Sequence, residues 1–261
     1  MINYYKKCML CPRKCGTVFF SGCNLRCVYC QNRDIAASYS GFEITDQKLA
    51  DIFLKLQDKG AHNINLVTPT HYTPHIISAL YAARGKLNIP VVYNCGGYES
   101  AETLKMLNGY IDIYLPDFKY MDNTIAQKYS FAPDYVENAK TALAEMTRQT
   151  GGCVFNADGI MIKGVIVRHL VLPSYTDNSK SVIEYLYKTY GHSIYMSIMN
   201  QYTPMEYVKN YPEINRKITD KEYENILDFA VNIGVENAFI QENGTVSESF
   251  IPVFDGEGIV K

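Results

Sequence analysis

An α/β fold built on parallel strands is predicted by three observations on this chain. Strand-like and helix-like segments alternate six times, which argues for parallel strands joined by right-handed crossovers. The strand-like runs are short and rich in β-branched and aromatic residues. The chain has 261 residues, 47% of them hydrophobic, enough for one large core or two small ones. A doubly wound sheet and a partial barrel both fit this pattern. In either, the loops at the strand C-termini form the site.

In chain order, the expected strands are Thr17–Phe20, Asn63–Val67, Val91–Cys95, Ile111–Leu115, Gly164–Leu172 and Ser193–Met199. The expected helices are Asp46–Lys59, Pro74–Arg84, Ser100–Leu107, Asp134–Gln149 and Ser179–Tyr190. Thr45 is an N-cap for the first helix and Gly60 marks its end. Leu49, Ile52, Phe53 and Leu56 give that helix one apolar face. A last helix, Asp220–Ile233, precedes Ala238-Phe239-Ile240 and an irregular tail.

Net charge is −2, so no global basic field points to nucleic acid. No apolar run reaches transmembrane length, and Met1–Lys7 lacks a signal-peptide apolar region. These features lead us to expect a cytoplasmic protein with no membrane partner. Six of the eight cysteines crowd into residues 8–30 at metal-like spacings, which favours metal binding over disulfides.

The most informative of these are Cys23, Cys27 and Cys30, spaced C-x3-C-x2-C directly after the first strand. Three thiolates in one tight loop can hold three irons of a cubane and leave the fourth open. With Tyr29 before the last cysteine, the motif resembles that of the radical S-adenosylmethionine (SAM) superfamily, in its pyruvate formate-lyase activating-enzyme-like branch, which makes Tyr29 a cofactor-binding candidate. The resemblance runs through most of residues 16–204. It implies a partial (β/α)6 TIM-like barrel with parallel strands. It also implies a 4Fe-4S cluster on Cys23, Cys27 and Cys30, with SAM bound to the open iron. Reductive cleavage of SAM there releases a 5′-deoxyadenosyl radical that takes a hydrogen atom from the substrate.

The resemblance extends to later strand ends. Relatives have Gly-Gly-Glu after the second strand, where this chain has Thr68-Pro69-Thr70-His71; Thr68, Thr70 or His71 would replace it as acceptors for the cofactor amine. Asn94-Cys95-Gly96-Gly97 stands where relatives carry Asp-Thr-Asn-Gly, which makes Asn94 a ribose contact and Cys95 a small buried hydrophobe. Asp117 and Lys119 match a strand-end Asp-x-Lys pair, with Lys119 facing the methionine carboxylate; a plain Asp–Lys salt bridge is the alternative. Arg168 matches an arginine that reaches the cofactor, and as a structural residue it would pair with Asp117 or Glu99. Gln201 or Tyr202 would face the adenine.

The expected organisation is an N-terminal cysteine-containing segment (1–15), a barrel core (16–204), and a C-terminal helix and tail on the barrel (205–261). Cys8, Cys11 and Cys15 form a second group that either holds another metal or stays as reduced thiols. The function implied is a radical SAM oxidoreductase, with a glycyl-radical enzyme as protein substrate and flavodoxin or ferredoxin as electron donor. A small molecule or another peptide residue is the alternative substrate. The non-enzyme alternative is a zinc-binding interaction module, which visible absorbance would separate from an iron-sulfur protein.

Overall fold

The computed structural model describes residues 3–4, 15–38 and 41–240; Cys8, Cys11 and the segment 241–261 lie outside them. The elements in chain order are β1 (Asn3–Tyr4), β2 (Cys15–Phe19), α1 (Arg33–Ser38), α2 (Asp46–Asp58), β3 (Asn63–Val67), α3 (Thr73–Ala82), β4 (Val91–Cys95) and α4 (Ala101–Met106). There follow β5 (Ile113–Pro116), α5 (Asn123–Ser130), α6 (Tyr135–Thr150), β6 (Val154–Phe155), β7 (Met161–Leu170), α7 (Thr176–Tyr190), β8 (Tyr195–Met199), α8 (Asp220–Asn232) and β9 (Ala238–Ile240).

Across the sheet the strands run β1-β9-β8-β7-β5-β4-β3-β2, every neighbouring pair parallel, with β6 antiparallel on β7. From β2 to β9 the main strands add in chain order on one side. A doubly wound sheet would reverse direction at a switch point. This one winds once and its order has two ends, β1 and β2, which makes it an open, TIM-like α/β sheet.

The strands are buried because helices cover the sheet. Every residue of β4 and of β5 is buried, as expected for parallel strands read as continuous apolar runs. Helix α2 starts where Thr45 accepts a hydrogen bond from Lys48 N at 3.1 Å, and it buries Leu49, Ile52 and Phe53. Helix α8 starts with a reciprocal capping box between Thr219 and Glu222. Strand β5 begins two residues later than the sequence suggests. Asp112 instead binds the neighbouring strand, its carboxylate accepting from Val91 N at 2.8 Å. Among the described residues no helix is long and apolar enough to cross a membrane.

Candidate functional site

The cysteine loop leaves β2 at its C-terminal end, and Phe20 N still donates to Val67 O at 3.0 Å. Two further anchors hold it. Leu25 is buried beneath Gly96, where an added Cβ would lie 2.8 Å from Leu25 Cδ1, and Asn24 Nδ2 donates to Tyr98 O. On the other side Arg26 N and Val28 N donate to Ser130 O and Tyr129 O at 3.2 and 2.9 Å. Those carbonyls end helix α5 and have no acceptor role within it. The loop amides therefore cap the helix while the helix positions Cys27 between them.

Each cysteine sulfur meets a donor. Leu25 N reaches Cys23 Sγ at 3.4 Å, Ser130 Oγ reaches Cys27 Sγ at 3.0 Å, and the Asn32 amide serves Cys30. Burial, reinforced by the charge of Cys27, pushes the Cys23 thiol up and the Cys30 thiol up to about 12. Bound iron reverses that preference by deprotonating its thiol ligands. Among the described residues, no three His, Cys, Asp or Glu side chains converge on one point for a single metal ion. A cubane takes one thiolate per iron, so its ligands stand apart around the cluster. Three thiols in one short loop, each with its own donor, fit that group.

The far wall of the site is ionic. Asp117 accepts from Lys119 Nζ at 2.6 Å and from Arg168 at 2.8 Å, and Arg168 also donates to Asn94 Oδ1 at 2.7 Å. These residues come from the ends of β4, β5 and β7, with Asp117 and Arg168 joined by a parallel bridge. Burial alone would raise the Asp117 pKa; Arg168 and Lys119 outweigh it and hold the carboxyl below its ordinary value. Burial would likewise strip Lys119 of its charge, but Asp117 and then Cys27 keep it protonated. Lys119 is close enough to act on Cys23 and Cys30. Among the described residues the buried Arg168 Nε has no hydrogen-bond partner.

The backbone at this wall leaves no room for substitution at Gly97. Its φ is +79°, and an added Cβ would lie 1.9 Å from Asp117 O. Thr68 also has a left-handed φ of 57°, and its amide donates to Asn94 O at 2.9 Å. Such strain in a non-glycine residue commonly marks a functional turn.

Glu99 is a residue that sequence reasoning named only as a partner for Arg168. It is 2% exposed and forms no salt bridge among the described residues. Thr70 Oγ1 and the Tyr93 hydroxyl donate to its two oxygens at 3.0 and 3.2 Å. Burial raises its pKa to about 7 against the lowering effect of those bonds. Its charge is felt by Cys23 and Cys95.

The structure therefore brings Cys23, Cys27, Cys30, Asn94, Asp117, Lys119 and Arg168 together, with Thr68 at their edge. His71 lies outside the group, exposed on the turn Thr70–Tyr72. Tyr29 is buried, with its hydroxyl on that of Tyr120 and its ring edge-on to Tyr202. The Tyr202 hydroxyl donates to Ile214 O at 2.8 Å. Arg168 pairs with Asp117 and not with Glu99. Ser130 and Tyr120 gave no signal in the sequence, because a polar helix end and one of 22 tyrosines are ordinary features.

Residues 17–186 match the family model described as "Radical SAM superfamily". An uncharacterized protein of Methanocaldococcus jannaschii, MJ0674, is 32% identical over 225 residues, which cover 82% of this chain and 61% of that protein. The chain thus spans less than two thirds of that relative. Streptococcus suis SuiB, solved with S-adenosylmethionine, superposes with a TM-score of 0.59 at 15% identity over 87% of this chain and 50% of SuiB. Methylornithine synthase (PylB) superposes with a TM-score of 0.56 at 10% identity, over 86% of this chain and 70% of PylB. At these identities the two structures report on fold alone.

Proposed function

The chain belongs to the radical SAM superfamily, and from that membership we propose an enzyme that holds a 4Fe-4S cluster on Cys23, Cys27 and Cys30 and abstracts hydrogen from a protein, by preference a glycyl-radical enzyme. When bound, the cluster and SAM together supply a 5′-deoxyadenosyl radical through one-electron cleavage of a carbon–sulfur bond. The protein's own work is to bind, orient and keep water out.

The observation that carries this reading is the split of charge across the mouth. On the β5 and β7 side, Lys119 and Arg168 share the single anion Asp117, so one positive charge is left over. On the β3 and β4 side, Glu99 has no cationic partner among the described residues, only the hydroxyls of Thr70 and Tyr93 and the Cys95 thiol, and it ionises near neutrality. That layout suits a zwitterionic amino-acid group such as the methionyl end of SAM. Its carboxylate would lie toward Lys119 and Arg168 and its ammonium toward Glu99. Asn94, fixed by Arg168, would face the ribose. Leu25 and Val28 of the loop are buried in the core, with Cys23 and Cys27 packed against it, which would limit the access of water to the site.

Support for a protein substrate comes from the rim. Phe131 follows Ser130 and is 56% exposed. Tyr207, also exposed, lies over the Arg33 guanidinium at 3.9 Å, on the helix that follows Cys30. Phe42 and Ile44 are exposed just after that helix. Apolar side chains around a charged mouth suit the docking of a peptide segment. SuiB, of the same fold, has been solved with its precursor peptide. A second reading, a small-molecule substrate, is favoured by an open cleft of about 590 Å³ lined by Met121, Asp122, Tyr175, Asp177 and Asn178. Asn178 there accepts from Met121 N and donates to Lys119 O, so the cleft adjoins the ionic wall.

The test is anaerobic reconstitution with iron and sulfide, followed by reduction with SAM present. The parent should form 5′-deoxyadenosine and Cys27→Ala should form none. Incubation with candidate glycyl-radical proteins should then give a glycyl doublet in paramagnetic resonance. Turnover of a small metabolite with no doublet would replace the protein-substrate reading. A colourless, zinc-loaded protein would end the radical reading altogether.

A further inference from the structure

Several helical hydroxyls in this chain bond back to the carbonyl four residues earlier. Thr141, Thr147, Thr150 and Ser181 all do so, at 2.8–3.1 Å. Ser130, the last residue of α5, instead turns to Cys27 Sγ at 3.0 Å. Behind it stand two more buried hydroxyls: Tyr120 at 2.7 Å from Ser130 Oγ, and Tyr29 at 2.5 Å from Tyr120. Ser130 is 1% exposed, Tyr120 0% and Tyr29 6%, so water does not compete for these bonds.

Counting protons gives the row a direction. Each hydroxyl has one proton, and a thiolate has none. With Cys27 as a thiolate, Ser130 must donate to sulfur. Its oxygen is then free to accept from Tyr120, which in turn accepts from Tyr29. Every bond points the same way, and aligned bonds polarise one another. Cys23 and Cys30 receive backbone amides and no side-chain hydroxyl, so this relay makes the three ligands unequal.

We propose that Tyr29, Tyr120 and Ser130 form a one-way hydrogen-bond relay onto Cys27 that raises the reduction potential of the cluster. Taking up one electron adds negative charge to the cluster, and part of it falls on the ligand sulfurs. A donor aimed at sulfur therefore favours the reduced form. Ser130 acts here as a positioning residue, working through Cys27 without touching substrate. This inference rests on Cys27 being a cluster ligand.

The experiment uses the full chain, reconstituted anaerobically, as parent, Ser130→Ala, Ser130→Thr, Tyr120→Phe and Cys27→Ala. Iron and sulfide content comes first. The midpoint potential is then read by paramagnetic resonance during titration with dithionite and mediators. Electron–nuclear double resonance in light and heavy water reads exchangeable protons near the reduced cluster. Ser130→Ala should keep the iron of the parent, lose one exchangeable-proton coupling, and shift the one-electron equilibrium about tenfold toward the oxidised form. That is a fall of about 59 mV. Tyr120→Phe should shift the potential the same way by less, and it serves where Ser130→Ala does not fold. Ser130→Thr keeps the hydroxyl and should restore the parent value. A loaded Ser130→Ala or Tyr120→Phe protein with parent potential and parent coupling overturns the relay while leaving the ligand assignment intact. Full cluster content in Cys27→Ala overturns both.

Discussion

The two sides of the mouth carry charge in different ways. On the β5 and β7 side each ion has a counter-ion within 3 Å: Lys119 and Arg168 close on Asp117. On the β3 and β4 side Glu99 is buried more deeply and has no counter-ion among the described residues, only the hydroxyls of Thr70 and Tyr93 and the Cys95 thiol. The contrast shows up in the carboxyl pKa values. Paired cations hold Asp117 below its ordinary value in spite of burial, while burial wins at Glu99 and lifts it to about 7. The paired side therefore keeps its charges fixed at physiological pH. The other side changes charge near neutrality and favours a cation when ionised.

Removing the shared anion should produce the largest effect. Asp117→Asn leaves Lys119 and Arg168 facing each other with no counter-ion, and stranding buried charges costs about 3–5 kcal/mol. Urea denaturation at pH 7 should show that loss. A cost under about 1 kcal/mol would mean that the ionic wall is solvated in solution and the contrast is false.

The Glu99 side should be nearly as costly, but in a pH-dependent way. Its folded-state pKa lies above the unfolded value, so the folded state binds the extra proton between about pH 4.5 and 7. Stability from this group is thus lost as pH rises through that window, by about 3 kcal/mol in total. His169 acts in the opposite sense. Burial lowers its pKa to about 4, and its ring is held by Phe118 O and Ser179, so it loses stability as pH falls below about 6.5. Glu99→Gln separates the two. Its stability relative to the parent should rise by about 3 kcal/mol between pH 4.5 and 7.5. Parallel curves for the two proteins would show that Glu99 is not poised as described.

Ligand affinity tests whether the two sides act together. Lys119→Ala and Arg168→Ala should each weaken SAM binding to the loaded protein by roughly 10–150-fold, the loss of one charge-assisted contact of about 1.5–3 kcal/mol. Glu99→Gln should weaken it more at pH 8 than at pH 6, because the parent carboxylate is ionised only at the higher value. Unchanged affinity in all three would reduce both walls to fold-stabilising roles.

The paired side was legible in the sequence and the Glu99 side was not, for a physical reason. Asp117 and Lys119 sit two apart at a strand end, and Arg168 interrupts an apolar run, so alternation together with the family resemblance marks them as site charges needing partners. Glu99 lies in a turn after Gly96-Gly97-Tyr98, where a carboxylate reads as solvated, and only the bend at Gly97 carries it inward. The same limit applies to the fold. The long alternating elements were readable from periodicity, whereas α5 was not. It has eight residues, is mostly polar, and stops at Phe131 in a left-handed conformation with φ 56° in place of a glycine. Its C-terminus nevertheless supplies the carbonyls and hydroxyl that hold the cysteine loop. Strand order was beyond alternation as well, since doubly and singly wound sheets share the same pattern of segments.

The smallest change sharpens the contrast furthest, because it leaves both charges in place. Thr70→Val keeps the shape of the side chain but removes one of the hydroxyls that serve Glu99. That hydroxyl donates, so it favours the ionised carboxylate. Without it the pKa of Glu99 should climb further, by somewhat less than one unit for a bond worth about 1 kcal/mol. The stability cost should follow ionisation: slight at pH 5, where Glu99 is protonated and can itself donate, and about 1 kcal/mol at pH 8. Denaturant melts at the two values would measure it. A cost equal at both would mean that Thr70 serves the turn Thr70–Tyr72 and not the carboxylate, and that Tyr93 and Cys95 hold Glu99 without it.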